Sequence, residues 1–229
     1  MKRRLLSALA ILAVVLSILT PQSVQAASAK SKVKKLVANM STYEYALLFE
    51  TKLSAVGEKY EIVLTDAEMA RAAAFTAPLN DDTYIGEVGE HGWEYIYSVS
   101  TSLIKKMSKK MFGKAISYKK LPKGSWDKVP YFIDVYRNDD GKPEFYIWDG
   151  ETETDFETIK QTIKKSGKGF TVTRDVFFGY WGINEQNNHK ASNYRITYTV
   201  EKNKASSYGY VITKMVMEQT ADLNLADED

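Results

Sequence analysis

The sequence contains no cysteine among its 229 residues. It therefore has no disulfide, no thiol nucleophile, no iron–sulfur ligand and no cysteine zinc site. Histidine is scarce too, with His91 and His189 the only two in the chain. Many small exported domains depend on disulfides, so this chain needs an ordinary apolar core instead. Aromatic residues make up 12% of the chain, which makes such a core feasible.

Familiar catalytic motifs are missing as well. Neither histidine lies in an H-E-x-x-H pattern, and no glycine-rich phosphate loop occurs. No G-x-S-x-G turn is available for a serine nucleophile. A glycoside hydrolase needs only two carboxylates, and the 29 acidic residues leave that alternative open. We therefore expect no catalytic residue, no metal and no cofactor, with a small carboxylate-dependent hydrolase as the alternative.

The N-terminus has the pattern of a secretory signal peptide, residues 1–26. Basic residues at 2–4 precede an apolar run at 5–19, and Val24-Gln25-Ala26 supplies small residues at a cleavage position. The apolar run is shorter than the roughly 20 residues that span a bilayer. We expect cleavage after Ala26, a secreted protein that works outside the cell or at the cell wall, and no stable membrane span afterwards. An uncleaved membrane anchor is the alternative.

Removal of the signal peptide changes the net charge. The whole chain carries +2. Residues 1–26 hold three basic residues and no acidic ones, so residues 27–229 hold 28 basic against 29 acidic side chains, a net charge of −1. This balance argues against a general nucleic-acid-binding protein, and we expect no nucleic acid as partner.

Helical patterns come first along the chain. The small, polar and basic residues 27–35 predict a flexible spacer, although apolar residues from Val33 to Met40 recur at helical spacing. Thr65 and Glu68 form a capping box before an alanine-rich helix. A further amphipathic helix is predicted over residues 103–111, with Gly113 as its stop.

Strand patterns follow. Alternation at 131–136 and 145–148, with a turn between them, predicts a hairpin. Further strands are predicted at 170–178, 194–200 and 210–216. Residues 156–163 fit a helix or a strand, and a strand paired with 170–178 is favoured.

This order predicts an α+β fold, with N-terminal helices packed on one face of an antiparallel meander sheet. Cystatin-like and NTF2-like folds have this layout. We expect a single domain over 36–220 and an acidic tail over 221–229. The general layout also resembles that of exported α+β proteins of Gram-positive bacteria, a resemblance that transfers no function and no residue.

Lysines are concentrated in one segment. Residues 105–128 contain nine lysines and one acid, Asp127. On the predicted helix, one face carries apolar residues and the other carries Lys105, Lys106, Lys109 and Lys110. Such a face could dock on an anionic polymer of the cell envelope through local charge attraction. The alternative is the solvated outer face of a helix.

Two aromatic pairs are candidates for carbohydrate binding. Trp93 and Tyr95 alternate in one segment, and Tyr180 and Trp181 precede an amide-rich stretch at 184–189. Ring faces can stack on sugars while amides pair with hydroxyls. The alternative is that these rings fill the core.

Carboxylates recur at alternate positions over 149–155. In an extended segment they could bind a hard cation such as calcium. The favoured interpretation is a charged loop or edge strand.

The sequence thus predicts a secreted, non-catalytic binding domain for an anionic or carbohydrate polymer at the cell envelope. The alternatives are the small hydrolase and an interaction subunit that pairs through an exposed sheet.

Overall fold

The computed structural model describes residues 28–50, 53, 55–76, 84–89, 92–124, 133–149, 152–182 and 190–223. At 84–89, 92–96, 148–149, 152–154, 180–182 and 190 the description covers the backbone alone. The predicted signal peptide and most of the acidic tail lie outside the described residues. So do both histidines.

Four helices precede or interrupt the strands in the described part of the chain. Helix α1 covers residues 28–38. The others are α2 (Ser41–Glu50), α3 (Asp66–Phe75) and α4 (Thr101–Phe112), with a short 3-10 turn at Tyr118–Lys120. None of the described helices is both long enough and apolar enough to cross a membrane.

Nine strands are described. They are β1 (Lys59–Ile62), β2 (Tyr84–Gly89), β3 (Gly92–Ser98), β4 (Ile133–Arg137), β5 (Pro143–Asp149), β6 (Thr152–Ser166), β7 (Gly169–Gly182), β8 (Lys190–Lys202) and β9 (Tyr210–Asp222). They form a five-stranded sheet in the order β1-β9-β8-β7-β6 and a four-stranded sheet in the order β2-β3-β5-β4. Every neighbouring pair is antiparallel.

The structure confirms the α+β class, with a meander formed by β6 to β9. The favoured strand at residues 156–163 is confirmed inside β6, where Phe156 lies opposite Phe178. The predicted hairpin is confirmed as β4 and β5. The sequence did not separate the strands into two sheets, and the finer cystatin-like or NTF2-like layout stays a prediction.

Helix α1 differs from the predicted flexible spacer. It is helical from residue 28, inside the predicted spacer range 27–35. Val33, Leu36 and Val37 are fully buried. Because these residues lie on one face of the helix, their burial stabilises a segment whose other residues favour solvent.

Helix α2 packs on the inner face of the five-stranded sheet. The rings of Tyr45 and Phe49 contact Phe178 edge-on at 6.1 and 4.9 Å between centroids. Alternate residues of β7 and β8 form inward rows that are buried: Phe170, Val172, Val176, Phe178, Tyr194, Ile196, Tyr198 and Val200. One apolar core includes residues from all four helices and both sheets.

Strand β9 departs from simple alternation. Its register against β8 shifts where Thr199 pairs with Lys214 and Val200 pairs with Ile212. The extra residue reverses the facing of the side chains beyond it. Met215 and Met217 are therefore buried, whereas Val216, which in the sequence continues the alternation of Tyr210 and Ile212, is not on the buried face.

Candidate functional site

The lysine face predicted on α4 is present. Lys105, Lys106 and Lys109 are exposed, whereas Ile104, Met107 and Met111 on the opposite face are buried. None of these three lysines forms an ion pair with a carboxylate in the described part of the chain. Their charge is therefore available to a partner in solution.

Lys110 is tied to a turn instead. Its Nζ lies 4.7 Å from the ring centroid of Tyr208, a cation–π distance. Its carbonyl accepts a hydrogen bond of 2.5 Å from Ser206 Oγ. Both partners belong to the turn at 203–209 between β8 and β9. The turn thus packs against the C-terminal end of α4.

The same turn contacts α1. Asn39 Nδ2, just beyond the end of this helix, donates to Tyr208 Oη at 3.0 Å and to the carbonyl of Lys35 at 2.8 Å. Tyr208 therefore connects the ends of two helices that are far apart in the sequence. Helix α1 carries four exposed lysines: Lys30, Lys32, Lys34 and Lys35.

We call these lysines together the basic surface. It consists of Lys30, Lys32, Lys34, Lys35, Lys105, Lys106, Lys109, Lys110 and Lys204. No acidic residue occurs in α1, in α4 or in the turn at 203–209. An open groove of about 1280 Å³ is lined by Lys30, Lys165, Lys168 and Lys202, and also by Glu201. The arrangement suits an extended anion better than a small enclosed one.

A separate cavity of about 470 Å³ lies between the end of α2, β1 and α3. Glu50, Glu58, Glu68 and Arg71 line it together with apolar residues such as Leu47. It is the place where a carboxylate-dependent hydrolase would have its acids.

The carboxylates beside Arg71 are already engaged. Arg71 Nε donates to Asp134 at 2.8 Å, Nη1 donates to Glu50 at 2.9 Å, and Nη2 donates to Glu50 as well. Tyr43 Oη donates to Glu68. Burial raises the pKa of Glu68, and the hydrogen bond from Tyr43 opposes that rise. These bonds tie α2, α3 and β4 together, which is a structural task.

A second charged cluster lies inside the core. Glu44 on α2 is 0% exposed, and its Oε2 lies 2.5 Å from Arg174 Nη1 on β7. Tyr198 Oη donates to Glu44, and Arg174 Nη2 donates to Thr158 Oγ1 at 2.5 Å. Burial raises the pKa of Glu44 to about 7, against the opposing effects of Arg174 and Tyr198. Being fully buried, the pair cannot meet a polymer.

The aromatic candidates are distributed over both sheets. Trp93 and Tyr95 belong to β3 of the four-stranded sheet, and Tyr180 and Trp181 belong to β7 of the five-stranded sheet. Their side chains lie outside the described part. Carbohydrate contacts by these rings stay a prediction.

The alternate carboxylates at 149–155 are divided as well. Asp149 ends β5 in one sheet, whereas Asp155 lies in β6 of the other. They are therefore not the single extended row that the pattern indicated. No cluster of three or more histidine, aspartate or glutamate side chains suited to a metal occurs among the described residues.

The fold and the site define an α+β protein with antiparallel sheets and a lysine-rich surface built from two helices. No protein-family model matches the chain, and neither a curated protein nor a solved structure matches it. Its function must therefore be argued from its own geometry.

Sequence reasoning missed part of this arrangement. It identified the lysines of α4 but placed those of α1 in a spacer. It also overlooked the Glu44–Arg174 pair, for which a signal existed. Arg174 interrupts the apolar row of β7 in the sequence, and Glu44 lies within an apolar stretch. A charge at a core position usually has a buried partner.

Proposed function

We propose that this protein is an exported, non-catalytic binding protein whose basic surface attaches to an anionic polymer of the cell envelope. The observation that carries the proposal is that Tyr208 contacts both Asn39, just beyond the end of α1, and Lys110 of α4, while neither helix contains an acid. The exposed lysines of α4 have no described ion-pair partner, so no described carboxylate neutralises their charge.

The geometry favours a polymer over a small anion. The lysines are spread along two helices, each roughly 16–18 Å long. A small anion would meet only one or two of them, whereas a chain of repeated phosphates or carboxylates would meet many. Each lysine near a densely anionic surface contributes about 1 kcal/mol. Screening over about 8 Å at physiological ionic strength makes this attraction dependent on salt.

The proposal is tested by neutralising the unpaired lysines of α4. Changing Lys105, Lys106 and Lys109 together to Gln keeps polar residues that favour a helix and removes three charges. Loss of about 3 kcal/mol corresponds to roughly a hundred-fold weaker binding. The probe is fluorescently labelled poly(glycerol phosphate), titrated at low and at physiological salt. Polygalacturonate and neutral dextran show whether phosphate, carboxylate or sugar is recognised.

The control removes three exposed lysines elsewhere. Lys59, Lys142 and Lys214 changed together to Gln alter the net charge equally but lie outside the basic surface. This variant should bind like the wild type. Equal binding by both triple variants would overturn the proposal. Binding to dextran alone would assign the function to the aromatic residues, and shortening of any probe would identify a hydrolase.

A further inference from the structure

Strand β6 is the last strand of its sheet. It covers Thr152–Ser166, 15 residues, and pairs with β7 along one edge. No other described strand pairs with its second edge. Such an edge presents unpaired backbone N–H and C=O groups, which favour pairing with another strand.

The outer row of β6 has an ordered charge pattern. Asp155, Glu157, Lys160 and Lys164 are all exposed, and the acids occupy the first half of the strand while the lysines occupy the second. None of the four forms an ion pair with any residue that the structure describes. Lys160 lies opposite Asp175 on β7, but that carboxylate pairs with Arg195 instead.

The other interfaces of this sheet show what such charges do. On the same outer face, Asp175 of β7 pairs with the directly opposed Arg195 of β8 at 2.8 Å. Lys59 of β1 pairs with the directly opposed Glu218 of β9 at 3.5 Å. Opposite charges across a strand pair stabilise it, and like charges destabilise it.

The charge order of β6 selects one partner. A second β6 placed antiparallel sets the acidic half of each strand against the basic half of the other. A parallel copy would set like charges together. Antiparallel pairing of identical strands also follows the two-fold symmetry that is commonest among homo-oligomers. Ile159, which is 57% exposed, lies between the two halves and so falls near the two-fold axis.

We propose that two copies of this chain associate through their β6 edges into one continuous antiparallel sheet. Asp155 and Glu157 of each copy face Lys160 and Lys164 of the other, and the two Ile159 side chains meet at the centre. The backbone bulge between Thr158 and Lys160 divides the pairing into two short segments. This proposal does not depend on polymer binding.

The test separates the two charge halves. Asp155→Lys with Glu157→Lys makes these four charges all basic, and Lys160→Glu with Lys164→Glu makes them all acidic. By light scattering after size exclusion, the wild type should have twice the mass of one chain. Each variant alone should be a monomer, because its rows repel. An equimolar mixture of the two should form a heterodimer, visible by native mass spectrometry.

The matched control is Asp139→Lys with Asp140→Lys. These acids are exposed in the turn between β4 and β5, and the change in net charge equals that of the basic variant. This control should remain a dimer. A monomeric wild type would overturn the proposal and mean that the lysines and the bulge protect the edge. A wild-type dimer that survives both charge reversals would overturn it too, because its interface would lie elsewhere. Restored pairing in the mixture also shows that both variants are folded.

Discussion

At the scale of single residues, the unusual feature is a buried ion pair in an otherwise apolar face. Glu44 and Arg174 join α2 to β7, and Tyr198 adds a bond from β8. Burial of such a pair withdraws two charges from water, at a cost of several kcal/mol per ion that their mutual attraction offsets only in part. The pair therefore makes the docking of α2 sensitive to protonation.

Glu44→Gln should remove part of the pH dependence of stability. The pKa of Glu44 is about 7 in the folded protein against 4.5 as its ordinary value. The folded state holds this proton more tightly, so the contribution is complete below pH 4.5 and is lost as the pH rises through about 7. The loss amounts to about 3 kcal/mol.

Urea unfolding at several pH values measures this effect. The free energy of unfolding of the wild type should fall from pH 5 to pH 8 by more than that of Glu44→Gln. Glu68 titrates in the same direction in both proteins, so only the difference between them reports Glu44. The exposed Glu61→Gln is the control. Parallel pH profiles for the wild type and Glu44→Gln would exclude this role.

At the scale of elements, the end of α4 depends on Gly113. Its φ of 75° lies in the left-handed region, where glycine is favoured. An added Cβ would lie 2.5 Å from Asn203 Nδ2 in the turn that carries Tyr208. The glycine therefore both ends the helix and lets the turn approach it closely.

Gly113→Ala should destabilise the protein more than Gly57→Ala. Gly57 also has a positive φ, 86°, but an added Cβ there meets nothing within 4 Å. Gly57→Ala should cost about 1 kcal/mol from backbone strain alone. Gly113→Ala should cost about 2–3 kcal/mol, because the side chains of Asn203 and Val211 must also shift. Equal losses in urea unfolding would show that the turn yields without cost.

At the scale of the whole molecule, the basic surface is formed by segments that are distant in the sequence. Helix α1 precedes α2 and α3 in the chain, and α4 follows them, yet both contact the turn at 203–209. Tyr208 accepts a hydrogen bond from Asn39, and its ring makes a cation–π contact with Lys110. A polymer could therefore cross from one helix to the other.

If the two helices bind one polymer, their contributions should add. Changing Lys32, Lys34 and Lys35 to Gln should weaken binding of poly(glycerol phosphate) roughly a hundred-fold, as expected for three lysines. Combining this with the α4 variant should give approximately the sum of both free-energy losses, since distant sites act independently. The same titration at low salt measures it. Wild-type affinity of the α1 variant would restrict the site to α4.

Much of the local structure was readable in advance. The lysine face of α4 followed from helical spacing, and the predicted capping bond, in which Glu68 N–H donates to Thr65 Oγ1, is present at 3.1 Å. The second half of that capping box is not, because Glu68 accepts from Tyr43 and contacts Arg71 instead. The Glu68 side chain, which the local pattern predicted to bond the backbone at the start of its own helix, interacts with these side chains instead.

By itself, the sequence determined the α+β class, the amphipathic face of α4 and the strands of the meander, because periodicity depends only on neighbouring residues. Only the tertiary structure decided that α1 is a helix, that Tyr208 joins two lysine helices, that Arg174 meets Glu44 and that β6 pairs with a single other strand among the described residues. These features depend on contacts between distant segments, such as that between Asn39 and Tyr208, which are 169 positions apart in the sequence. Such contacts form when buried surfaces fit together, and no short stretch of sequence specifies that fit.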